Sequence, residues 1–189
     1  MGRLKAPLFT LLCVIPAIAQ EGPAVSAAPG KAHAALAQMA ADWEARATFW
    51  TWKNQSAPSV ECTATVRAKM VMGGRFLLQN VEGHCMDQPV EAIGVIGYDN
   101  ATGRYQAVSF DNRGTSISQH VGEMNEAGDI VLHSSYGDRV TGETVDRRTV
   151  RKMFSEHEWV ETAHETRNGE ERRVMEIRAR KTADSPISG

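Results

Sequence analysis

From Trp43 onward, hydrophobic and polar residues alternate with a period of two. The clearest run is Val60, Cys62, Ala64, Val66, Ala68, Met70 and Met72, interleaved with Glu61, Thr63, Thr65, Arg67, Lys69 and Val71. Successive side chains of a strand point to opposite faces, so this spacing predicts one buried and one wetted face. A helix would scatter the same residues around its circumference. Gly73-Gly74 follows, then Arg75-Phe76-Leu77-Leu78. Paired glycines between two such runs predict a two-residue hairpin, whose central positions need positive φ. With Met72 opposite Arg75, the ladder brings Cys62 opposite Cys85, at a Cα spacing of about 4.5–5.5 Å that suits a disulfide. A bulge at Gly83 would break that register.

Further strands are predicted over Trp43 to Trp52, Val90 to Tyr98, Arg104 to Asp111, Thr115 to Glu123, Asp129 to Tyr136, Val145 to Phe154, Glu156 to Thr166 and Glu171 to Lys181. Turn residues such as Asp99 to Gly103 and Asn168-Gly169 separate them. Roughly ten strands joined mostly by hairpins predict an all-β fold: an up-and-down antiparallel barrel or a strongly curved sheet, with a β-sandwich as the alternative. In the last hairpin, Arg167 opposite Glu170 sets Glu161 against Glu176, an unfavourable like-charge pair, and Trp159 against Arg178, a cation–π contact. Ahead of the strands, Leu36, Met39 and Ala40 lie at helical spacing within Lys31 to Ala41, which predicts a short N-terminal helix.

The first residues read differently. Arg3 and Lys5 precede the apolar run Leu8 to Ala19, which ends small-x-small at Ala17 and Ala19. These are the parts of a secretory signal peptide over 1–19, and the run is shorter than the about 20 apolar residues that a membrane-spanning helix needs. No small residue directly precedes Cys13, so a lipid-anchored cysteine is not expected. Residues 20–30 are rich in Ala, Pro and Gly and read as a flexible leader, and residues 182–189 read as a disordered tail. Residues 31–181 then form a single domain, long enough for a real core. Export favours a disulfide for the remaining pair, Cys62 and Cys85.

Composition excludes more than it selects. The chain of 189 residues has a formal net charge of −2, and loss of Arg3 and Lys5 with the leader lowers it further. No basic face is implied, so nucleic acid is a poor partner, and no second apolar run is long enough to cross a membrane. The sequence lacks the nucleophile elbow, HExxH, CxxC, EF-hand and phosphate-loop patterns. Neither catalytic residues nor a metal or cofactor is expected. His120 and His133 fall on neighbouring strands but lack an identifiable third ligand for zinc. Asn54-Gln55-Ser56 and Asn100-Ala101-Thr102 match the glycosylation pattern.

The stretches GGRFLLQNVEG (73–83), GVIGYDNATGRYQAVSFDNRGT (94–115) and RRVMEIRARK (172–181) resemble the DUF1579 family of uncharacterised, mostly bacterial proteins. The resemblance runs from about Leu36 to Lys181. It implies a curved antiparallel barrel related in shape to the lipocalin-like folds, and it brings no established activity. The chain departs from the family pattern at Cys85-Met86-Asp87 and at Ala41. Lipocalin-like barrels often open with a tryptophan covered by an arginine from the last strand, which implies a structural pair of Trp43 with Arg178 or Arg180.

Small barrels can enclose one small ligand. The small side chains Ala64 and Ala68 on the buried face leave room. The favoured reading is therefore an exported barrel that binds a small apolar ligand through interior residues Trp43, Ala64, Val66, Ala68, Met70, Tyr98 and Tyr105. The alternatives are a filled-core envelope interaction domain and an enzyme of unrecognised type built on His120 and His133. Nothing in the sequence indicates an oligomeric state.

Overall fold

A computed structural model describes residues 26–138 and 141–182. The expected signal peptide and C-terminal tail lie outside the described residues, apart from Thr182. Among the described residues, one helix, α1 (Lys31–Ala37), precedes ten strands: β1 (Asp42–Phe49), β2 (Val60–Val71), β3 (Phe76–Cys85), β4 (Gln88–Asp99), β5 (Arg104–Asp111), β6 (Ser118–Met124), β7 (Ile130–Gly137), β8 (Thr144–Ser155), β9 (Glu158–Arg167) and β10 (Glu170–Lys181). Each strand pairs antiparallel with the next, and β10 pairs with β1, closing the barrel. Closure leaves no unpaired edge to template aggregation. The sandwich alternative does not hold.

The alternation along β2 does set its faces: Val66 and Ala68 are buried, while Glu61, Thr63, Arg67 and Lys69 are exposed. The β2–β3 register is the expected one, with Cys62 opposite Cys85 and Ala64 opposite Gly83 without a bulge. Gly83 is needed there. A Cβ on it would lie 2.2 Å from the carbonyl oxygen of Thr63. The disulfide joins Cys62 and Cys85 at a Cα separation of 4.4 Å. The turn itself is wider than a two-residue hairpin. Positive φ extends over Met72, Gly73 and Gly74, and the carbonyl of Val71 accepts from both Gly74 N and Arg75 N. The ladder therefore starts at Val71–Phe76, which removes one residue from each strand and leaves the register unchanged. Met72 consequently sits in the turn, exposed, rather than on the buried face.

The last hairpin also differs from expectation. Arg167 pairs with Glu170 and His164 with Arg173, but a bulge at Val174 shifts the register so that Ala163 meets Met175. Glu176 then faces Thr162 instead of Glu161, and Trp159 faces Ala179 instead of Arg178. An extra residue in one strand thereby separates two like charges that an unbroken ladder would oppose. β1 ends at Phe49, earlier than expected, because Trp50 and Trp52 turn away to stack under arginines of β9 and β10. Arg173 lies 4.3 Å from the Trp50 ring centre, and Trp52 contacts Arg167 and Arg172 at 5.5 and 5.2 Å.

The core fills one end of the barrel. The helix α1, shorter than expected, seats Leu36 and then Met39 over Trp43, Val66, Leu77 and Ile96. The indole Nε1 of Trp43 donates to the carbonyl of Met39 at 3.0 Å, and the hydroxyl of Tyr105 donates to the carbonyl of Ala32 at 3.3 Å. Tyr98 packs edge-on between Tyr105 and His33. Just before the helix, the carbonyls of Ser26 and Ala28 accept from the Asn100 amide. That end is closed.

Candidate functional site

The other end is hollow. A cavity of about 610 Å³ occupies the barrel interior from Trp159 and Gln79 up to the rim at Phe49, Cys85, Asp111 and Ser118. Ligand pockets commonly measure about 300–1,000 Å³. Its apolar wall comes from β1, β2, β4 and β10, with Ala45, Ala47, Ala64, Ala92 and Ile177. The four alanines are small, so the strands enclose space that larger residues would fill. The Cys62–Cys85 disulfide sits in the same wall near the rim.

The facing wall is charged. Along β8, Val145, Arg147, Thr149 and Arg151 share the inward face, and along β9 Glu161, Ala163 and Glu165 do so. The ladder places Arg147 opposite Glu165 and Arg151 opposite Glu161. Glu161 Oε2 accepts from Nε of Arg151 at 2.6 Å and from Nη2 at 2.5 Å, with both side chains only 13% exposed. Arg151 Nη1 donates to Oε1 of Gln79 at 3.1 Å, and its guanidinium lies 5.0 Å from the Trp159 ring centre. Trp159 in turn meets Trp43 edge-on, so this pair links the cavity floor to the closed end.

Nearer the rim, Glu165 Oε1 accepts from the Tyr136 hydroxyl at 2.6 Å and from Arg147 Nη2 at 2.8 Å. Its Oε2 accepts from Arg167 Nη2 at 3.1 Å, and Arg167 Nη1 reaches Asp138 at 2.6 Å. Burial pushes the Glu165 carboxyl upward. The bonds from Tyr136, Arg147 and Arg167 outweigh it and hold Glu165 below the usual carboxylate range. Burial, then the bond to Glu165, raises the Tyr136 phenol.

His120 also lies inside, on β6 opposite Ala107. Burial depresses its pKa, Glu161 opposes that, and Arg147 and Arg151 add to the depression. His133 pairs with Arg148 on the exposed outer face. The barrel wall therefore separates the two histidines, and they form no common site. Among the described residues, no group of three or more His, Cys, Asp and Glu is placed to hold a metal.

The interior residues expected from sequence divide between the two ends. Ala64 lines the cavity, and Val66 lies at the junction, part of the packed core and of the cavity lining. Trp43, Ala68, Met70, Tyr98 and Tyr105 belong to the packed end under α1. Arg178 and Arg180 lie exposed on the outer surface, and Arg178 bonds to Glu176. The arginine that stacks on a buried tryptophan is Arg151, on Trp159. The inward charges are not legible in the sequence because β8 and β9 carry polar residues on both faces, so alternation marks neither as buried. A signal was present: arginines four apart on one strand and glutamates four apart on the next match once the strands are paired.

Residues 28–181 match the family model described as Protein of unknown function (DUF1579). The chain belongs to the DUF1579 family. No curated protein matches its sequence significantly. Eight chains of solved structures match the fold of this DUF1579 barrel. One is the crystal structure of Rv2717c from M. tuberculosis, with a TM-score of 0.58 and 17% identity over 82% of this chain and 99% of the other. That likeness speaks to the fold alone.

Proposed function

We propose that this DUF1579 barrel is an exported binding protein for a small, largely apolar molecule. The cavity carries the reading: about 610 Å³ enclosed by strands whose inward alanines leave it open. Its mostly apolar lining favours an apolar body, since burial of apolar surface contributes about 25 cal/mol per Å². The Arg151–Glu161 and Arg147–Glu165 pairs support a polar contact on the opposite wall. Buried ion pairs are commonly no more stabilising than apolar residues of similar volume, so charges inside the barrel fit a recognition role better than a structural one. Export is supported by the Cys62–Cys85 disulfide, which persists in oxidising compartments. It is supported further by the basic and apolar start of the chain.

Native mass spectrometry of freshly purified protein tests the reading. A co-purifying small molecule, or one-to-one uptake of an apolar probe, is the expected result. Protein that retains nothing and takes up no apolar probe would overturn it. A second reading, an interaction domain, draws on a different observation. Ile93, Val95, Val108 and Phe110 pair into an apolar stripe on the outer face of β4 and β5, with Phe110 43% exposed. Cross-linking in whole cells that traps a defined protein on that stripe would favour this reading.

A further inference from the structure

We infer that the cavity's ligand carries an oxygen hydrogen-bond acceptor, a carboxylate or a carbonyl, which meets Arg147 on the charged wall. This inference rests on the binding reading above and specifies the head group. It follows from a census of donors and acceptors. Oε2 of Glu161 already takes two bonds from Arg151, and Oε1 of Glu165 takes one from Tyr136 and one from Arg147. The other Glu165 oxygen is used by Arg167, and the Gln79 carbonyl oxygen by Arg151. Among the described residues, the wall also holds donors without partners, besides His120 Nδ1, whose role depends on its protonation. Nε of Arg147 and Nε1 of Trp159 are buried with no partner among the described residues. Both residues line the cavity, as do Arg151 and Ser118.

A ligand that brings an acceptor meets the exposed part of the Arg147 side chain rather than its buried Nε, and an acceptor is the group such a donor can use. Arg147 is the better placed of the two cavity arginines. Among the described residues, Arg151 is engaged through Nε, Nη1 and Nη2, whereas a single nitrogen of Arg147 is bonded to a carboxylate. Its side chain is 33% exposed, against 13% for Arg151, so a ligand can reach it. A planar guanidinium suits a carboxylate in a two-bond fork, and it also serves a carbonyl. An ammonium head group would add donors to a wall already rich in them. The acceptors it would use are the second oxygen of Glu161 and, at the rim, Asp111. The alanine wall opposite takes the chain.

Calorimetric titration of the full-length purified protein with decanoate, 2-decanone and decylammonium separates these cases. Decanoate and 2-decanone are expected to bind at least about tenfold more tightly than decylammonium, and Arg147→Gln is expected to abolish that preference while the apolar contribution persists. Arg147→Lys keeps a charge beside Glu165 but lacks Nε, and it serves where Arg147→Gln does not fold. Binding of all three with equal affinity, or tightest binding of decylammonium, would overturn the inference and leave the binding reading standing. An unchanged preference in a folded Arg147 variant would remove Arg147 from it. If none of the three binds, the binding reading itself fails, and the inference with it.

Discussion

Ala64 lies on the cavity wall, between Ala45 on β1 and Gly83 on β3. Replacing it with leucine adds three carbons to a side chain that borders empty space. Complete burial of those carbons would stabilise the fold by about 0.8 kcal/mol each, and ordering a leucine side chain costs about 0.5–1 kcal/mol. The cavity is open at the rim, so roughly half of that burial is realised. The net change predicted for Ala64→Leu is thus between about 0 and +1 kcal/mol of stability. In a filled core the same substitution overpacks and costs about 1–3 kcal/mol. The two cases differ in sign. Equilibrium urea unfolding at constant m reads the difference as a shift in midpoint. A loss of more than about 1 kcal/mol would show that no usable space adjoins Ala64. The same variant should weaken uptake of apolar probes, because leucine occupies their volume.

Other regions give independent tests. Cys62→Ser should lower stability by about 2–5 kcal/mol in chemical denaturation, and reduction of the wild type should do the same; equal stability with and without reductant would count against the bond. Gly122→Ala should cost about 1–3 kcal/mol, since a Cβ there would lie 1.8 Å from the Val131 carbonyl oxygen. A melting temperature equal to wild type would refute that close approach. Glu165 contributes a pH dependence of known sign: its carboxyl is held below the usual range in the folded chain. Its contribution is complete above the ordinary glutamate pKa and is lost as pH falls through the lowered folded value. Glu165→Gln should therefore cost about 3 kcal/mol at neutral pH and flatten the acid limb of the stability profile. Parallel acid limbs for variant and wild type would reject this.

Much of the fold is legible in the sequence. Alternation along 60–71 exposes the buried face of β2, and the Gly73-Gly74 turn yields the β2–β3 register and with it the disulfide. That register survives a wider turn because each strand loses one residue symmetrically. The C-terminal strands are less readable. Nothing local marks Val174 as the bulge; it appears only once Ala163 must meet Met175. The site was half legible. Ala64 and Val66 emerge from small and branched side chains on a buried face. Arg147, Arg151, Glu161 and Glu165 do not, because an inward charge looks like an outward one until its partner strand is placed. The division of the barrel into a packed and a hollow end also escapes the period-two pattern. It depends on where α1 sits, and Leu36 with Met39 closes one end only.

The central claim is that this barrel is hollow, with room for one apolar guest beside a charged wall. Titration with an environment-sensitive apolar fluorophore, compared between wild type and Ala64→Trp, tests it most directly. A hollow barrel takes up about one molecule per chain saturably in the wild type, and loses that uptake when the folded variant fills the space with an indole. Uptake that never saturates, or that is unchanged in a folded Ala64→Trp protein, would contradict it.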